Sequence, residues 1–183
     1  MKKPFTIVAF TENKIGLLNR VTSLLTQRHI NIESLTVSES EFAGIHRFTI
    51  VIIEPEEKVG KVVKQIEKQV EVLKSYYFSD EETTFAEIAL YKIDVAALED
   101  SSAFEQVVAQ HELRELARHG NYVIMEKTGH KEVTNQVFEA LKPFGLHGFV
   151  RSGRVSLSRT IGTFSDHLKQ FELHSKDIIT KYN

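Results

Sequence analysis

The chain has 183 residues, 42% of them apolar and 26% charged, with a formal charge of −2 and no cysteine. That is enough chain and enough apolar content for one or two domains of ordinary globular composition. The near-neutral balance argues against a protein that grips nucleic acid through its phosphates, which needs a basic excess. Without cysteine there are no disulfides, thiolate metal sites or cysteine nucleophiles. This fits a reducing, cytoplasmic setting.

The opening "MKKPFTIVAFTENK" carries an apolar run too short and interrupted for a signal-peptide core, and it reads as a first strand, Phe5 to Phe10. No stretch approaches the ~18 apolar residues of a membrane helix. A polar turn over Thr11 to Ile15 follows. Leu17, Leu18, Val21, Leu24 and Leu25 then recur at helical spacing, and the helix is expected to end near Arg28 to His29. Ile30 to Ser38 reads as a second strand whose alternation slips at Glu33–Ser34, where a bulge or bend is expected. Glu39 to Gly44 is a hairpin loop. His46 to Ile53 is a third strand with Phe48, Ile50 and Ile52 on one face. Glu54–Pro55–Glu56 opens a helix with Val59, Val62, Val63, Ile66 and Val70 as its buried stripe. Val72 to Phe78 is a fourth strand.

The order β-α-β-β-α-β is the ferredoxin-like pattern. "SDEETT" (80–84 after Ser79) reads as an acidic linker. A second copy of the order follows. It comprises a strand over Phe85 to Val95, a helix capped by Ser101 or Ser102 with Phe104, Val107 and Val108, and a hairpin of Glu112 to Arg118 with Tyr122 to Lys127. A helix after Gly129 carries Val133, Val137, Phe138 and Leu141 until "KPFG" stops it. Short strands at Leu146 to Val150 and Val155 to Leu157 end the copy. The expected fold class is α+β, with two tandem ferredoxin-like domains. The expected boundaries are 1–79, a linker at 80–84, 85–159, and a tail at 160–183 in which Phe164, Leu168, Phe171 and Ile178 mark one amphipathic helix or a partly ordered terminus.

Candidate chemistry is sparse. The eight histidines include no His-x-x-x-His pair, and His167 and His174 lie two turns apart, too far to share a metal on one helix. No nucleophile elbow or phosphate-binding loop is present. Arg151, Arg154 and Arg159 in "RSGRVSLSR" suit an anion, a partner or a solvated hairpin equally. One stretch stands out, "ENKIGLLNRVTSLLTQRHINIESL" from Glu12 to Leu35. The first amides of a helix lack internal partners and suit a carboxylate. Gly16 leaves the backbone bare at that point. The amides of Leu17 and Leu18, with Asn13 and Asn31 as side-chain donor and acceptor, match the head of a free α-amino acid. The plain alternative is that Gly16 relieves a tight turn and Asn13 caps the helix.

"ENKIGLLNRV" followed by "QRHINIESLTV", and the later "TGHKEVTNQVFEALKPFGLHGFVRSGRVSLSR", resemble the acetohydroxyacid synthase (acetolactate synthase) small-subunit family. The resemblance spans roughly residues 5 to 159. It implies an N-terminal ACT domain that dimerises edge to edge and a non-catalytic regulatory subunit. Such a subunit activates a thiamine-diphosphate-dependent catalytic subunit and confers feedback inhibition by valine or a related branched-chain amino acid. It carries no cofactor itself; thiamine diphosphate, magnesium and FAD belong to the catalytic subunit. Carried onto this chain, Asn13, Gly16, Leu17 and Leu18 hold the ligand, and Asn31 and Ile32 approach from the other protomer. Leu17 stands where the family often has alanine, so it is expected to shape the pocket. The alternative within the same fold is a stand-alone tandem ACT sensor acting on another partner.

Overall fold

A computed structural model describes residues 1–97, 102–159 and Phe164. The chain divides into two compact units, one of Met1–Thr84 with the described residues from Ser156 on, the other Phe85–Val155. Ser156 to Arg159, expected in the second domain, therefore group with the first.

In the first unit β1 (Lys3–Glu12), α1 (Leu17–Gln27), β2 (Ser34–Glu39), β3 (Ile45–Glu54), α2 (Glu56–Glu67) and β4 (Val72–Ser79) build a sheet of order β2-β3-β1-β4. All its neighbours are antiparallel. One face is packed by the helices. Phe5, Ile7, Ala9, Phe48, Ile50 and Ile52 meet Leu17, Val21, Leu25, Val59, Val62 and Ile66 there. The period-2 and helical patterns of the sequence account for this layer directly. β1 is nevertheless buried from Phe5 to Thr11 without interruption. Its other face, with Val8 and Phe10, joins Phe78 and Phe164 in a second cluster. A strand central to its sheet and covered on both faces loses its alternation.

Three expectations shift. The second strand begins only at Ser34, with Glu33 in a bend, so Ile30 to Ile32 precede it. The slip at Glu33–Ser34 marks the strand's start. Val70 lies beyond α2 and is 91% exposed, because the helix ends at Glu67 and the chain turns at Gln69 before β4. The acidic linker is a short 3-10 turn, Asp80–Glu82, in which the amide and hydroxyl of Ser79 both donate to the Glu82 carboxylate, at 2.8 and 2.9 Å. Thr83 and Thr84 already belong to the next strand.

That strand is β5 (Thr83–Asp94). It is followed by α3 (Ser102–His111), β6 (Arg114–His119), β7 (Tyr122–Gly129), α4 (Lys131–Leu141), β8 (Leu146–Arg151) and β9 (Val155–Ser158). The second sheet runs β6-β7-β5-β8. Its core holds Ala89, Tyr91, Ile93, Val123 and Met125 against Phe104, Val137 and Leu141. After α4, Lys142–Phe144 tightens into a 3-10 turn and Gly145 takes the left-handed conformation (φ 66°), as a helix stop requires. Ser101, Leu168, Phe171 and Ile178 lie outside the described residues.

Candidate functional site

The candidate site lies where β1 hands over to α1. The end of β1 is held on both sides. The Glu12 amide donates to the Glu71 carbonyl (2.9 Å) and the Asn13 amide to the Gly44 carbonyl (3.2 Å). The chain then turns. The Lys14 amide donates to the Glu12 carbonyl (3.1 Å), and the Leu17 amide reaches the Lys14 carbonyl (3.3 Å). Gly16 sits at φ 83°, ψ −7°, a left-handed conformation that disfavours any residue with a Cβ. A Cβ there would meet no heavy atom within 4 Å, so glycine is required by backbone conformation and the space above it is open.

The first α-helical bond inside this turn is Arg20 N–H to Gly16 carbonyl, 3.1 Å. α1 has no side-chain cap and no acidic residue in its first turn. Asn13 is therefore not the helix cap. Among the described residues no acceptor engages the amides of Leu18 and Asn19. They form an exposed pair at the positive end of the helix dipole, an arrangement suited to a carboxylate. The sequence points to Leu17 and Leu18 for this role. The turn closes on the Leu17 amide, so the free pair is one residue further on, and Asn19 is the residue that sequence reasoning missed.

The other candidates separate. The Leu17 side chain is 1% exposed and belongs to the core beneath α1. It packs into the core and does not reach open space. The large apolar groups beside the turn that do reach solvent are Ile15 and Leu18. Asn31 and Ile32 lie past the opposite end of α1, and an 11-residue helix is about 16 Å long. One protomer thus does not bring them to Gly16. Asn31 is exposed and its amide donates to the Glu33 carboxylate at 3.0 Å, while Ile32 packs against the core. Both precede β2, an edge strand with one side unpaired among the described residues.

The surrounding charges are paired. Arg20 lies 2.7 Å from Glu71, and Lys14 3.7 Å from Glu12. The hydrogen bond from Arg20 holds the Glu71 carboxyl below the usual carboxylate range.

Arg151 and Arg154 in the second unit and Arg159 in the first are each engaged within the protein. Arg151 donates to Thr134 Oγ1 (3.0 Å) and Asn135 Oδ1 (2.9 Å) and lies 3.2 Å from the buried Glu87, fastening β8 to α4. Arg154 is buried, its guanidinium 3.5 Å from the centroid of the Phe85 ring. Arg159 donates to Thr84 Oγ1 at 2.9 Å. Among the described residues no group of three histidine or carboxylate side chains is placed to hold a metal ion.

A βαββαβ sheet in the order β2-β3-β1-β4, with a glycine-opened helix start at its rim, defines an ACT domain. The profile of the "AHAS small subunit-like ACT domain" matches residues 7–74, and that of the "Small subunit of acetolactate synthase" matches residues 86–160. The chain is 32% identical over 160 residues to the acetolactate synthase small subunit of Bacillus subtilis, covering 87% of this chain and 91% of that one. It is also 32% identical over 158 residues to the putative acetolactate synthase small subunit of Mycobacterium tuberculosis, covering 86% and 93%. The crystal structure of the acetolactate synthase small subunit from Thermotoga maritima superposes with a TM-score of 0.77 at 26% identity, over 87% of this chain and 99% of that one. The chain belongs to the acetolactate synthase small-subunit family.

Proposed function

We propose that this chain is the non-catalytic regulatory subunit of an acetolactate synthase. It docks on the thiamine-diphosphate-dependent catalytic subunit, raises its activity, and lends it feedback inhibition by valine or a related branched-chain amino acid. Thiamine diphosphate, magnesium and FAD reside in that partner, and the complex works in the cytoplasm. Two copies of the chain pair through the β2 edges of their ACT domains, since unpaired ladder groups need cover.

The observation that carries the ligand reading is the uncapped start of α1. The free amides of Leu18 and Asn19 receive the carboxylate, with bare Gly16 allowing close approach. Asn13 adds a polar side chain at the rim. Ile15 and Leu18 offer apolar surface next to it, which suits a branched aliphatic side chain over a polar one. Asn31, from the second protomer, accepts from the ammonium group through its side-chain oxygen, and Ile32 closes the site from the same side.

The test is ligand-linked stability. A ligand that binds only the folded state at a hundred times its Kd stabilises by about 2.7 kcal/mol. L-valine, L-leucine and L-isoleucine are titrated at millimolar levels while the melting temperature is followed. A rise with at least one of them supports the reading, and no rise with any removes the amino-acid site. Asn13→Ala is expected to blunt the shift while the dimer persists; loss of the dimer in that variant would contradict the placement of Asn13.

A further inference from the structure

The second face of the first sheet receives a side chain from beyond the family match. The profile of the second segment ends at residue 160, and Phe164 follows it. Phe164 is 3% exposed and packs with Val8, Phe10 and Phe78, and with half-buried Phe42, Ile45 and Tyr76. Its ring stacks on Phe10 at 4.2 Å between centroids and 3° between planes, and meets Phe42 edge-on at 5.7 Å.

Ser156 and Arg159 are tied to the same unit. Arg47 donates to the Ser156 carbonyl, and its guanidinium lies 5.7 Å from the centroid of the Phe10 ring. The Arg159 amide donates to the Glu82 carbonyl at 2.8 Å, and its side chain to Thr84.

Phe10 and Phe42 lie on the two segments that meet at Asn13. Phe10 lies on β1, three residues before Asn13. Phe42 is in the β2–β3 loop, where its carbonyl accepts from the Ile45 amide (3.1 Å) and its own amide donates to Ser40 Oγ (3.1 Å). The same loop presents the Gly44 carbonyl that takes the Asn13 amide. The β1–β3 ladder runs out to the Glu12–Ile45 pair, the Asn13 bond to Gly44 extends it into the loop, and the Phe164 ring lies against Phe10 on the strand and Phe42 in the loop.

We propose that Phe164 is a positioning residue for the amino-acid site, an anchor that holds the end of β1 and the β2–β3 loop in the register Asn13 needs. It rests on the reading of that site as the amino-acid site. It acts by pre-organisation. If losing the anchor leaves only a tenth of the molecules with the rim in place, the apparent Kd rises about tenfold without loss of any ligand contact.

The full chain is compared with Phe164→Ala, with Phe164→Leu, and with a chain ended after Arg159. L-valine, L-leucine and L-isoleucine are titrated calorimetrically. Hydrogen exchange is followed at the Asn13 amide and at the Val62 amide, the latter deep in α2 and a report on global unfolding. The expected result is about tenfold weaker binding and about tenfold faster exchange at Asn13 for Phe164→Ala and the shortened chain. Val62 exchange rises only with the global stability that emptying a buried site costs, and Phe164→Leu, which keeps the apolar bulk, restores most of the binding and of the Asn13 protection. Unchanged binding and Asn13 exchange in the two disruptive variants would overturn the anchor, as would weakened binding that Phe164→Leu does not restore. If the unaltered chain binds none of the three amino acids, the site reading fails, while faster Asn13 exchange alone still supports the anchor and unchanged exchange overturns it.

Discussion

Arg20 and Glu71 stand 2.7 Å apart, joining the first two turns of α1 to the residue whose carbonyl holds the amide of Glu12. The pair braces the ligand turn from behind. Its signature is acid-sensitive. Glu71 has a folded-state pKa below its unfolded value, chiefly through the Arg20 hydrogen bond. Its contribution is present above the unfolded value of about 4.3 and is lost as pH falls through the folded one. Arg20→Ala is expected to return the Glu71 titration, followed by carboxyl NMR shifts, toward the ordinary carboxylate range and to flatten the acid limb of the stability profile. An unmoved Glu71 titration would show that another group sets it.

Gly16 is held at φ 83° with open space above it. Gly16→Ala is expected to cost about 1–2 kcal/mol from the left-handed backbone alone. Gly16→Asn costs less, because asparagine tolerates that region. Both add a side chain to the bare turn ahead of α1 and are expected to weaken L-valine binding. A Gly16→Asn protein of near-normal stability and undiminished affinity would place the ligand elsewhere.

Leu17 fills core space. Leu17→Ala is expected to lower stability by about 2–5 kcal/mol, as for other buried leucines. Its preference among valine, leucine and isoleucine, measured at a temperature where it is folded, should match that of the unaltered chain. A changed order of preference would restore Leu17 to the pocket.

In the second unit the Tyr91 hydroxyl donates to the Thr134 carbonyl at 2.7 Å. Burial pushes its phenol up to about 12. A raised folded pKa means that its contribution is complete below the unfolded value of about 10 and is lost as pH climbs through about 12. Tyr91→Phe is expected to cost about 1 kcal/mol at neutral pH and to flatten the alkaline limb of the denaturation profile. An alkaline limb as steep as before would assign that sensitivity to another group.

Much of this was legible in the sequence. Helix and strand periods placed every element of both units to within a few residues, because each core-facing side is apolar at its own period. The glycine turn at Gly16 was legible too, since few other residues accept that conformation. Three things were not. Val70 continues the apolar spacing of α2 but lies past its end, and periodicity does not see where a helix stops. Leu17 and Leu18 are identical in kind and adjacent, and only the angle of α1 on the sheet decides that one is core and the other rim. Phe164 lies more than 150 residues from Phe10, and no local pattern reports a stacking partner at that distance.

The central claim is that this chain regulates an acetolactate synthase. The most direct measurement is acetolactate formation by a purified catalytic subunit, alone, with this chain, and with this chain plus L-valine. The chain is expected to raise the rate, and L-valine to lower it again only when the chain is present, an allosteric coupling of about 1–3 kcal/mol. A rate that the chain leaves unchanged, with no association between the two proteins, would contradict it.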